Sequence, residues 1–159
     1  MRRIICSALV TSVGLVALTG CAGGDDSSSG TFVSREGANE VYRASIADLD
    51  FPDGYRPSQT IPGIDQDSAD TTYQQTYGDT RAHYLWQCVW EQEWLDTRAT
   101  DADAAERAIE QLAKAPTMAY LADSRRADDA TRRLFTENLD KAELGDPSGV
   151  QEDVDVNCS

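Results

Sequence analysis

Trp86, Trp90 and Trp94 stand four residues apart, the first residue types in this chain whose spacing could do chemistry. Wound as a helix they fall on one stripe, and with Tyr73, Tyr77 and Tyr84 nearby they would stack on the apolar face of a sugar if exposed. A stripe at that period is more often core, so exposure decides, and the three indoles are carried as candidate ligand-binding residues. His83 is the one histidine, and no Gly-x-Ser-x-Gly elbow supplies it with a nucleophile. Asp65-Gln66-Asp67-Ser68-Ala69-Asp70 opens like a calcium loop, yet Asp70 stands where the EF-hand wants Gly and Thr76 where it wants Glu. It reads as a solvated loop. Glu91 and Glu93 lie about 200° apart around a helix, so they cannot face one bond as a glycosidase pair. The expectation is no catalytic residue, no metal and no cofactor.

Four cysteines remain to be explained. Arg2 and Arg3 followed by the apolar run Ile4–Leu18 read as an export signal, too short for the ~20 residues that span a bilayer. Leu18-Thr19-Gly20-Cys21 then resembles the bacterial lipobox. The resemblance implies removal of residues 1–20 and a diacylglyceryl group on the Cys21 thiol. Two acyl chains hold a protein on a membrane stably where one does not. Residues 21–33 follow as lipidated Cys21 and a flexible Gly/Asp/Ser tether. Cys6 leaves with the signal. Cys88 and Cys158 remain, an even pair that reads as a disulfide in an exported chain, with a free thiol or a metal pair as competing readings. One histidine and no CxxC spacing speak against zinc. A bridge would stabilise by about 4 kcal/mol through loop closure and would fasten the end of the chain.

The elements that would position these residues are helical. Tyr42, Ile46 and Leu49 suit a short helix over 40–49, stopped by Phe51-Pro52-Asp53-Gly54. Pro57, Pro62 and Gly63 make an irregular arm. Residues 79–97 form the central helix, with Leu85, Cys88, Val89 and Leu95 on one side, the Trp stripe adjacent, and Gln87 and Glu91 marking the remaining polar strip. Gln92 falls on the apolar face and would need partners if buried. A further helix runs over 101–115 from a Thr100/Asp103 cap to Pro116. Met118 and Leu121 belong to a short turn. The last long helix begins after Ser124 as N-cap and stops at Gly145 and Pro147, and an acidic tail, 149–159, follows. The fold class is all-α: a small domain of three or four helices over 34–159, with one disulfide and an irregular proline-containing N-terminal arm.

Trp86-Gln87-Cys88-Val89-Trp90-Glu91, Gly145-Asp146-Pro147 and Asn157-Cys158 together resemble small exported actinobacterial proteins that share a Trp-x-Cys-x-Trp-Glu helix and a closing cysteine. The resemblance implies a Cys88–Cys158 disulfide and supplies no activity. In 159 residues there is room for one domain, and 28 acids against 14 bases give a formal charge of −14, which repels nucleic acid. The expectation is therefore a lipid-anchored protein on the outer face of the cell membrane, a non-catalytic binding or assembly scaffold. Its partners are the membrane through Cys21 and an envelope protein or cell-wall glycan. The alternatives are a glycan-binding module using the Trp stripe, and a hydrolase whose carboxylates meet only in the fold.

Overall fold

The computed structural model describes residues 31–158, so the signal, Cys21 and the tether up to residue 30 lie outside the described residues. Within it the chain is all-α apart from one minimal sheet. The helices are α1 (Arg35–Ala47), α2 (Tyr77–Thr97), α3 (Ala102–Leu112), α4 (Ala119–Ala122), α5 (Asp129–Glu143) and α6 (Ser148–Asn157). Strands β1 (Phe32–Val33) and β2 (Tyr73–Gln74) pair antiparallel, with Val33 opposite Tyr73. The expected three or four helices become six because residues 119–122 wind a full turn and the acidic tail is itself a helix.

Short polar side chains set the helix starts. The Ser34 hydroxyl accepts from the Gly37 backbone N–H, so α1 begins five residues before the expected position. Asp101, rather than Thr100, accepts from Ala104 N–H at the start of α3. Asp128, rather than Ser124, caps α5 through Thr131 N–H. All three are the side-chain-to-N3 bond that satisfies an otherwise unpaired donor.

Helix α2 is the axis, packing against α1, α3 and α6. Where it crosses α1 the backbones meet at Gly78. A Cβ there would sit 2.8 Å from the Tyr42 nitrogen and inside contact distance of the Ala38 carbonyl oxygen, so only glycine allows the approach. Along α2 the indoles are buried, at 1%, 6% and 3% exposure for Trp86, Trp90 and Trp94, while Leu85, Cys88, Val89 and Leu95 are half-buried. Gln92 is exposed and bonds Asp96.

The interior forms two clusters. The first gathers Tyr42 and Ile46 of α1, Ile61 and Ile64 of the arm, Tyr73 of β2 and Ala82 of α2. The second is built on the three tryptophans with Leu112, Tyr120, Leu121, Phe135 and Val150. Leu49 and Phe51 touch both. The arm is fastened across the boundary by the Trp90 indole N–H, which donates to the Asp50 carbonyl at 2.9 Å.

Candidate functional site

The tryptophans are core, and that corrects their candidacy as a binding surface. Buried indoles present no face to a sugar. The Asp65–Asp70 loop is occupied from within the chain. The Arg35 guanidinium donates to the Asp67 and Ser68 carbonyl oxygens at 2.6 and 3.2 Å, and the Tyr73 hydroxyl donates to Asp67 Oδ2 at 2.8 Å. His83 stacks on Tyr120 with ring centroids 5.2 Å apart, and its Nδ1 lies 2.8 Å from the Asp79 carbonyl. It is a packed helix residue.

The expected disulfide is present. Cys88 of α2 and Cys158, just past α6, are joined with Cα atoms 5.5 Å apart across a sequence separation of 70. The bridge lays α6 over the polar strip of α2. Gln87 and Glu91 on that strip are consequently 6% and 3% exposed.

Burying an amide and a carboxyl demands partners, and the chain supplies them. Tyr120 of α4 donates its hydroxyl to Gln87 Oε1 at 2.9 Å. Gln87 Nε2 donates one proton to Glu91 Oε1 at 2.9 Å and the other to Asp153 Oδ2 of α6 at 3.0 Å. The side-chain amide therefore uses its oxygen and both N–H bonds, which fixes its orientation. Glu91 Oε2 faces the bridge, 3.9 Å from Cys158 Sγ.

The electrostatics follow from this enclosure. Burial, then the nearby charge and hydrogen bond of Asp153, push the Glu91 carboxyl up to about 9, against a smaller opposing pull from Gln87. Burial also raises the Tyr120 phenol, with the negative charge of Glu91 adding to it. At neutral pH, Glu91 thus holds its proton beside Asp153.

Above this cluster a cavity of about 460 Å³ opens between α2, α5 and α6. Gln87, Glu91 and Asp153 line it from below and Arg81, Leu134 and Asn138 from the sides. A second cavity, of about 430 Å³, lies toward the arm, lined by Tyr55, Gln92 and Asp96 among others. Cys88, Cys158 and Leu85 line both, so the disulfide stands in the wall between them. Cys88, Glu91 and Cys158 also bring three potential metal-donor atoms within 4.8 Å of one another. While the sulfurs are bonded neither is a thiolate, the form that ligates a metal. Glu91 and Asp153 are in hydrogen-bond contact, closer than the roughly 5 Å or more that separates the carboxyls of a glycosidase, so the pair does not suit that hydrolysis.

Sequence reasoning marked Gln87 and Glu91 as a polar strip without their partners, and did not single out Asp153 and Tyr120. The overlooked signal is Val150 and Val154 at helical spacing after Gly145-Asp146-Pro147, which announces a helix able to cover the strip. Comparison with models of known families, with curated proteins and with solved structures finds no match to this chain.

Proposed function

We propose that the chain is a lipid-anchored extracytoplasmic envelope protein whose helical domain binds a partner non-catalytically at the cavity between α2, α5 and α6. The supporting observation is the cavity itself: about 460 Å³, floored by a buried, fully bonded Gln87–Glu91–Asp153 set and rimmed by exposed Leu134. Convergent polar groups in a preformed concavity are the usual make-up of a binding site. The anchor rests on the lipobox resemblance at Cys21. No helix among the described residues is long and apolar enough to cross a membrane.

The test is photocrosslinking in intact cells from the full chain, with the reactive side chain at Leu134 or at Leu144, an exposed residue outside the cavity. A discrete adduct from position 134 that is lacking from 144 is expected. Equal labelling from both, or none from 134, contradicts the binding reading. Feeding a tagged fatty acid to the same cells should label the wild-type chain and not Cys21→Ala, and an unlabelled wild-type chain removes the anchor.

A further inference from the structure

The disulfide combines three features that loop closure alone does not need. Both sulfurs are half-buried rather than enclosed. Each lines cavities on two sides, so a thiol can approach the bridge along its length. A buried carboxyl oxygen, Glu91 Oε2, lies 3.9 Å from Cys158 Sγ, and the carboxyl comes within 4.8 Å of both sulfurs.

We propose that Cys88–Cys158 is an exchangeable disulfide, opened by a donor dithiol, and that Glu91 is the acid that protonates Cys158 as it leaves. A thiolate of the dithiol attacks Cys88 Sγ and forms a mixed disulfide. The Cys88–Cys158 bond breaks, its electron pair goes to Cys158 Sγ, and Cys158 takes the carboxyl proton of Glu91, whose Oε2 lies 3.9 Å away. The donor's second thiolate then attacks the donor sulfur of the mixed disulfide. This closes the donor's own disulfide and releases Cys88, which takes a proton from water. Water reprotonates Glu91. Two electrons and, net, two protons pass from the dithiol to the protein, and the reverse sequence reoxidises it.

The direction of attack follows from charge. A leaving thiolate departs more slowly the more its charge is penalised, and with Asp153 lining the same cavity in a chain of net charge −14 that penalty is large. A carboxyl that already carries its proton removes the penalty at the moment it arises. At Cys88 the polar atom at that distance is the Asn157 carbonyl oxygen, 3.9 Å from the sulfur, which has no proton to give. Cys158 also follows the last turn of α6, so it can swing away once the bond is cut, whereas Cys88 is fixed in the middle of α2. The groups facing Glu91 are Gln87 from its own helix, Tyr120 from α4, Asp153 from α6 and the neutral Asn138 of α5 in the cavity wall, with Arg81 lining the same cavity. Of these, Asp153 is the one whose charge opposes ionisation of Glu91 at neutral pH, and Glu91 keeps its proton up to about pH 9.

The experiment is reduction of the folded, full-length protein by dithiothreitol, followed by thiol alkylation and mass analysis, in wild type and Glu91→Gln. Glutamine matches the protonated carboxyl in shape and cannot give up a proton. Rates are normalised to the thiolate form of the reagent. The wild-type rate should be first order in dithiothreitol, level through neutral pH, and should fall as pH passes about 9. Glu91→Gln should be at least about tenfold slower near neutrality and should show no such fall. Rates equal to or faster than wild type in Glu91→Gln overturn the role of Glu91. A rate independent of dithiothreitol concentration, set by unfolding, overturns exchange altogether and leaves the bridge as a staple. Should Glu91→Gln not fold, the wild-type pH profile decides, and a normalised rate unchanged across pH 9 counts against the proposal.

Discussion

The two clusters handle buried polar groups differently. In the first, Asn39 is 5% exposed and spends its carbonyl oxygen on the Ile61 backbone N–H of the arm at 2.9 Å, while the Tyr42 hydroxyl is buried with no hydrogen-bond partner. Nothing in Asn39 ionises, so that bond is indifferent to pH. In the second, Gln87, Tyr120, Glu91 and Asp153 satisfy one another but include a carboxyl that must stay protonated to be buried. The comparison teaches that a complete network is not automatically a quiet one: the better-satisfied cluster is the one that responds to its solvent.

The widest separation between the clusters should come from Trp90→Ala. It removes a buried indole and frees the arm from α2 through the lost Asp50 bond, and should cost about 4 kcal/mol in denaturant unfolding. A loss below about 1 kcal/mol would show that the Trp cluster is not the principal core. The next effect is pH. Below about pH 4.5 folded and unfolded chains both hold the Glu91 proton; from there up to about pH 9 only the unfolded chain releases it. Stability therefore falls as pH rises through that window, by up to ~1 kcal/mol per pH unit, and Glu91→Gln should flatten the fall. At the acid end the sign reverses. Asp123 is held at about 2 by its hydrogen bonds from Arg125, and Asp128 and Asp146 are lowered by the backbone N–H groups of Thr131 and Ser148. Their contribution is present above the ordinary carboxylate range and lost on protonation, so unfolding measured against pH should show maximal stability in mildly acidic solution.

Two smaller substitutions sharpen the contrast from the first cluster. Asn39→Ala strands the Ile61 N–H and should cost about 2 kcal/mol by the same amount at every pH tested. A loss that varied with pH below the raised phenols of Tyr42 and Tyr73 would mean that the first cluster also holds a group titrating there. Tyr42→Phe removes a hydroxyl with no partner and should leave the melting temperature unchanged or slightly raised. A clear drop would reveal a bond to that hydroxyl.

The same contrast explains what could be read from the sequence. The helical period of Tyr42 and Ile46, the Trp stripe and the Cys88/Cys158 pair are local or arithmetic signals, and each reappears in the structure, whereas α3 ends at Leu112, ahead of Pro116, which lies within a 3-10 turn. The burial of Gln87 and Glu91 was not legible from their own helix. It is imposed by α6, a mostly polar ten-residue helix whose cover depends on Val150, Val154 and a bridge 70 positions away. Helix starts were misplaced where two candidate caps stood close together, as at Thr100 and Asp101 or Ser124 and Asp128, because capping is settled by which side chain reaches the third N–H.

All three indoles of the chain lie in one of the two clusters, so excitation at the red edge of protein absorption sees that half and leaves the other dark. Emission then follows the Trp cluster, and far-ultraviolet dichroism follows the helices of both. The molecule thus carries its own optical partition, and any gap between the two melting traces would measure how far one half can come apart before the other.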